Sequence, residues 1–216
     1  MTHCIPCGFV LFSTISTRRL LPRRPSRLSA AGRERLTAGK GRGHALRWSR
    51  KGAKGVPVRR ILVVTVGPVR SFYREGVDEY RRRLVPYCSV QLASVKPEPL
   101  PARLTEAEVQ TVREREGERL LAAAAGHGLL LALDRSGRSF SSEAFAHALE
   151  QWWAAAGARL VFVVGGTLGL SQAVQQEAAQ LLSLSSLTFP HELAALVLLE
   201  QLYRAFRILR GEPYHY

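Results

Sequence analysis

The apolar and polar positions of residues 58–216 switch repeatedly between a period of two and a period of about 3.6. Ile61-Leu-Val-Val-Thr-Val-Gly67 is a β-branched run closed by glycine, the pattern of a strand buried on both faces. Residues 70–84 are charged, with Phe72, Val77, Tyr80 and Leu84 at helical spacing, which predicts a surface helix. Residues 90–95 predict a second strand, ended by Pro97, Pro99 and Pro101. Thr105 and Glu108 form a capping box that opens a helix to about residue 125. A third strand is predicted over 129–134, ending at a Ser-Gly turn, and a helix over 142–156. Residues 160–164 are the fourth strand, and Ser171 caps a further helix. The fifth strand is predicted at 184–189, and Pro190 starts a last helix that ends at Gly211. This alternation predicts an α/β fold, a parallel sheet with helices on both faces.

Charge divides the chain differently. Of its net charge of +14, residues 1–60 account for all: they hold 15 basic residues and one acid, Glu34, and the remainder holds 16 of each sign. A uniformly cationic nucleic-acid coat is thereby excluded. Residues 1–57 have no sustained period and are rich in Arg, Ser, Gly and Pro, which predicts a disordered basic leader. An Arg-rich, acid-poor leader has the composition of an organellar transit peptide. A chloroplast destination is favoured over the mitochondrion, with a cytoplasmic protein expected if the leader is not a targeting sequence. Residues 58–216 have the size of one domain. The apolar runs are too short to span a bilayer, so no membrane partner is expected. Cys4, Cys7 and Cys88 are too few for a disulfide framework. The Cys4-x-x-Cys7 pair lacks a second pair at ligand spacing, so no metal is expected.

Ligands of parallel sheets bind beyond the carboxyl ends of the strands. Three loops fall there, 133–138, 164–171 and 183–191. The second is glycine-rich but lacks the first glycine of G-x-G-x-x-G and the lysine of a P-loop, so neither nucleotide fingerprint is present. By pattern alone it reads first as a tight strand-to-helix turn and only weakly as a ligand loop. The third offers serine hydroxyls and backbone amides between Leu184, Leu187 and Phe189, suited to a polar small molecule or to a solvated edge turn. His191 follows it, either as a packed helix-start residue or as a base. Residues 193–199 are apolar nearly all round, which predicts burial in a dimer interface. Tyr203, Arg204, Arg207 and the tail Pro213-Tyr-His-Tyr216 suit an unstacked base and its phosphates.

Taken together, Phe162-Val-Val-Gly-Gly-Thr-Leu-Gly-Leu, Leu184-Ser-Ser-Leu-Thr-Phe-Pro-His191, Glu200-Gln-Leu-Tyr-Arg-Ala-Phe206 and Gly211-Glu-Pro-Tyr-His215 resemble the RlmH family, SPOUT-class methyltransferases of large-subunit ribosomal RNA. The resemblance covers about residues 59–216 and includes Thr65-Val-Gly67, Glu116-Gly-Glu118 and Leu133-Asp134. It implies a C-terminal trefoil knot, a homodimer and S-adenosylmethionine as cofactor. The implied reaction is methylation of N3 of a pseudouridine in 23S-type ribosomal RNA. Carried over motif by motif, cofactor contacts fall on Leu133, Gly165, Leu184, Ser185, Ser186, Leu187, Thr188 and Phe189. The substrate side falls on His191, Arg204, Tyr214 and His215. Tyr216 departs from the often charged family tail. A non-catalytic ribosome-binding factor of the same fold, or a knotted enzyme acting on transfer RNA or on a ribose hydroxyl, are the alternatives; the intact glycine, serine and tail motifs speak against the first and the Tyr-His tail against the second.

Overall fold

The computed structural model describes residues 59–213 apart from 102 and 158. The leader, with Cys4 and Cys7, and the tail residues Tyr214 and His215 lie outside the described residues. Ten elements alternate: β1 (Arg60–Val66), α1 (Ser71–Leu84), β2 (Ser89–Val95), α2 (Glu106–Ala124), β3 (Leu129–Ser139), α3 (Ser142–Ala156), β4 (Arg159–Val164), α4 (Gln172–Glu177), β5 (Gln180–Ser183) and α5 (His191–Leu209). All strand pairs are parallel, in the order β2-β1-β4-β3-β5. The expected parallel sheet is therefore present.

Helices cover both faces. On one, α5 lies between α1 and α3; on the other, α2 packs on α4 and on β1, β2 and β4. Period-two alternation divides β1 accordingly. Ile61 and Val63 join Phe162, Trp153, Leu198 and Phe206 in the core beneath α5, while Leu62, Val64 and Val66 are equally buried from the other side. A strand with both faces covered reads as a continuous apolar run, which is why β1 and β4 show no polar alternation.

Connections leave the centre of the sheet in opposite directions. From β1 the chain passes through α1 to the edge strand β2, on the α5 face; from β4 it passes through α4 to the other edge strand β5, on the α2 face. Reversing direction together with face gives these crossovers one common hand, as parallel connections require. It also opens a crevice at the carboxyl ends of β1 and β4, where such folds bind ligands.

Two expectations need correction. The fifth strand is at 180–183 and not at 184–189: the ladder with β3 ends at Ser183. Beyond it, the Ser183 hydroxyl donates to the Ser185 carbonyl (2.9 Å) and the Leu187 N–H to Ser185 Oγ (3.0 Å). Local serine bonds of this kind offer the backbone an alternative to the ladder. β3 in turn does not stop at Asp134; it bulges over 134–137 and resumes pairing with β5 at Arg138 and Ser139. In the bulge, Asp134 Oδ1 accepts from Ser136 N–H (2.8 Å) and Oγ (2.6 Å).

The apolar circumference of α5 predicts a dimer interface, and α1, α3 and the sheet enclose much of it within one chain. Ala195, Leu198, Leu199 and Leu202 are wholly buried within one chain, and Leu196 packs toward Gly76 of α1. A central helix of a three-helix layer needs three apolar sides.

Candidate active site

Three loops converge beyond β3, β4 and β5 on a cavity of about 500 Å³. From β3 come Leu133 and Asp134, from β4 the loop Gly165–Leu170, and from β5 Leu184, Ser185, Leu187, Thr188 and Phe189. Leu133, Leu182, Leu184 and Phe189 give it apolar walls, while Asp134, Gln175, Ser185 and Thr188 supply polar groups. Of the eight cofactor residues expected from the sequence, seven line this cavity; exposed Ser186 does not.

The glycine loop is held from several sides. Gly166 and Gly169 form an isolated antiparallel bridge, and Arg113 Nε of α2 donates to the Leu168 carbonyl (2.7 Å). A Cβ on Gly165 would lie 3.0 Å from the Gly169 carbonyl carbon and 3.1 Å from its oxygen. The glycine is thus required by the loop's own backbone returning across it. Ser171, 2% exposed, caps α4 by accepting from Val174 N–H (3.3 Å). Gly117 of α2 lets that cap approach, since a Cβ there would meet Ser171 Oγ at 2.0 Å.

A second cavity, of about 290 Å³, opens at the β1/β4 crevice. Gly166, Thr167, Leu168 and His191 are common to both cavities. His191 begins α5, and its Nε2 is buried without a hydrogen-bond partner among the described residues. Glu192 beside it accepts from the Arg70 N–H (2.8 Å), tying the start of α5 to the start of α1. Glu116 enters from α2. It is 5% exposed; Oε1 accepts from the Glu98 N–H (2.9 Å), and Oε2 has no partner among the described residues. Glu98 is paired with Arg119 and Arg115. The Arg119 hydrogen bond, foremost, holds the Glu98 carboxyl below its ordinary range, against the opposing effect of desolvation.

Glu116 was visible in the sequence only as part of a motif, yet a signal for it existed. It stands at i+4 from Val112 and i−4 from Leu120, so an acid occupies the buried stripe of α2. Arg113 and Asp134 carried no comparable signal, because charged residues at helix surfaces and strand ends are commonplace.

Arg204 is not brought to either cavity. Its guanidinium contacts Glu200 Oε1 through Nε (3.0 Å) and Nη2 (2.7 Å). Thirteen residues separate it from His191 on one helix, about 20 Å along the axis. Nearby, Tyr87 donates to Glu212, and Arg210 stacks on the Tyr87 ring (4.3 Å). Burial, chiefly, raises the Tyr87 phenol above its ordinary range.

Residues 59–215 match the family model described as predicted SPOUT methyltransferase. The chain is 44% identical over 156 residues to ribosomal RNA large subunit methyltransferase H of Carboxydothermus hydrogenoformans, covering 72% of this chain and 98% of that protein. It is 46% identical over 159 residues to the protein of the same name from Symbiobacterium thermophilum, covering 72% and 99%. A solved structure of a probable methyltransferase from Bordetella pertussis Tohama I aligns with a TM-score of 0.42 and 17% identity, over 68% of this chain and 96% of that one. That likeness is too remote to add to the family match. On the strength of the family model and of relatives spanned almost end to end, the chain belongs to the SPOUT methyltransferases.

Proposed function

We propose that this chain methylates large-subunit ribosomal RNA at N3 of a pseudouridine, with S-adenosylmethionine as the methyl donor. The observation that carries this reading is the three-loop cavity at the strand ends, in a body whose relatives are named for large-subunit rRNA methylation. The cavity fits the cofactor. Its volume lies within the range of small-ligand sites. Apolar walls suit adenine, and Asp134, Ser185 and Thr188 suit ribose and amino-acid groups. Leu133, Gly165, Leu184, Ser185, Leu187, Thr188 and Phe189 hold the cofactor in this reading, within a trefoil-knotted chain. When bound, it supplies an electrophilic methyl group on a sulfonium.

The protein's own work is positioning and proton removal. In-line transfer depends on holding donor and acceptor at attack distance, which rigid strand-end loops do well. The imide N3 attacks as its proton leaves. His191, on the wall shared by both cavities, is the base, its Nε2 accepting that proton. Replacing His191 by Ala is expected to lower turnover and leave cofactor affinity within about twofold.

Arg204, Tyr214 and His215 belong to the substrate side. The separation of Arg204 from His191 along α5 supports a composite site in a homodimer, one copy supplying His191 and the other Arg204 and the tail. The leader is proposed to direct the protein to the plastid. Its supporting observation is the concentration of 15 basic residues and one acid in residues 1–60. Fusion of residues 1–57 to a fluorescent protein tests this; a diffuse cytosolic signal rejects it. Mass spectrometry of organellar large-subunit rRNA tests the reaction. N3-methylpseudouridine is expected to disappear when the gene is removed, and an unchanged level rejects the function.

A further inference from the structure

Two buried polar atoms without partners among the described residues face the β1/β4 crevice from opposite layers. Glu116 Oε2 comes from α2 below the sheet, and His191 Nε2 from α5 above it. Each abuts a glycine at the end of a central strand. A Cβ on Gly166 would lie 2.7 Å from Glu116 Oε2, and one on Gly67 would lie 3.3 Å from His191 Nε2. Thr65 and Val164 are register partners, so these two glycines, each two residues further on, end neighbouring strands. Adjacent strands are about 4.8 Å apart. Glu116 and His191 both line the 290 Å³ cavity, next to the cofactor cavity. Leaving a buried carboxylate oxygen unsatisfied is costly in the folded protein. A group of this kind, where it lines a cavity, is open to a donor from a ligand or from water.

We propose that the 290 Å³ cavity receives the acceptor base, and that Glu116 Oε2 reads a second ring N–H which selects pseudouridine over uridine. This rests on the pseudouridine reading above and deepens it. The chemistry distinguishes the two bases at one edge. Pseudouridine carries two ring N–H groups, N1–H and N3–H, on either side of one carbonyl. In uridine N1 is the glycosidic nitrogen and carries no hydrogen. A carboxylate holding N1–H leaves N3–H directed to His191, on the wall shared with the cofactor cavity. Glu116 Oε1 is already engaged by the Glu98 N–H (2.9 Å), which fixes the carboxylate plane and leaves Oε2 as the reader. The side chain is a specificity residue; it takes no proton in the reaction.

The test uses the full chain with ribosomal particles that lack the methyl group and carry either pseudouridine or uridine at the target position. Uridine particles come from cells without the pseudouridine-forming enzyme. Wild-type protein is expected to prefer pseudouridine by at least about a hundredfold in kcat/KM, as sites built around one hydrogen bond do. Glu116→Gln places an amide N–H against N1–H. It is expected to bring the pseudouridine rate to within about fivefold of the uridine rate, with cofactor affinity by calorimetry unchanged. A folded variant that binds cofactor and keeps the wild-type ratio overturns the proposal. If Glu116→Gln does not fold, binding competition on wild-type protein decides instead. A target-loop hairpin carrying N1-methylpseudouridine is expected to compete at least about tenfold more weakly than the pseudouridine hairpin, and equal competition overturns the proposal. Absence of N3 methylation in wild-type protein on pseudouridine particles refutes the underlying function. Equal methylation of both particles refutes only the role of Glu116.

Discussion

At Gly165 a Cβ would stand 3.0–3.1 Å from the Gly169 carbonyl group, so the loop backbone would have to give way to any side chain. Gly165→Val is therefore expected to displace the loop and weaken S-adenosylmethionine binding at least about tenfold by calorimetry, with the fold retained. Unchanged affinity would place the cofactor elsewhere. Glu98 yields a pH prediction. Its carboxyl is held low in the folded protein, first by the Arg119 hydrogen bond. A depressed folded-state value means that the associated stability is complete above the unfolded value, about 4.3. It is lost as pH falls through the lower folded value. Glu98→Gln should consequently flatten the acid limb of a melting-temperature profile below about pH 4.5 and leave its slope near neutrality unaltered. Parallel acid limbs for the two proteins would contradict the assignment.

Among the elements, α2 joins the capping motif to the site. The Thr105 side chain accepts from the Glu108 N–H (3.3 Å), and Glu108 Oε2 accepts from the Thr105 N–H (2.8 Å). The same helix then delivers Arg113 to the glycine loop and Glu116 to the crevice. Thr105→Ala is expected to cost about 1 kcal/mol in denaturant unfolding. Because the cap lies more than two turns from Arg113, cofactor affinity should remain within about twofold. Both helix starts at Thr105 and Ser171 were legible from side-chain chemistry alone. The fifth strand was not. Residues 180–183 and 184–189 are both apolar with polar interruptions, and only the reach of β3 decides which of them finds a ladder.

For the whole molecule, the predictions concern what lies beyond one folded body. A truncation beginning at Val56 is expected to melt cooperatively at the full chain's midpoint and to methylate as well, since the predicted elements all lie downstream. Loss of cooperative melting would show that the leader contributes to the fold. Light scattering at micromolar concentration is expected to report a dimer, and a monomer would remove the composite site. Mixing subunits separates its halves. A heterodimer of Gly165→Val and Arg204→Ala chains retains one centre with both halves intact if these come from different copies. Activity should then reappear on mixing, and a mixture that exchanges subunits yet stays inactive rejects the arrangement.

Local pattern sufficed for the layer architecture. Apolar runs at β1 and β4, a capping box at Thr105 and serines at helix starts each act within a few residues, so they can be read without knowing the fold. The cofactor loops were legible as positions and as a family likeness, because strand ends with glycine and serine are short contiguous segments. What the tertiary structure alone decided depends on groups brought together from distant parts of the chain. It set α5 between α1 and α3, which covers within one chain much of an apolar circumference that pattern alone linked to a dimer interface. Finally, it placed Glu116 and His191, 75 positions apart in the chain, at the ends of two neighbouring strands. Parallel pairing of β1 with β4 joins segments about a hundred residues apart, and no local periodicity encodes which strands become neighbours.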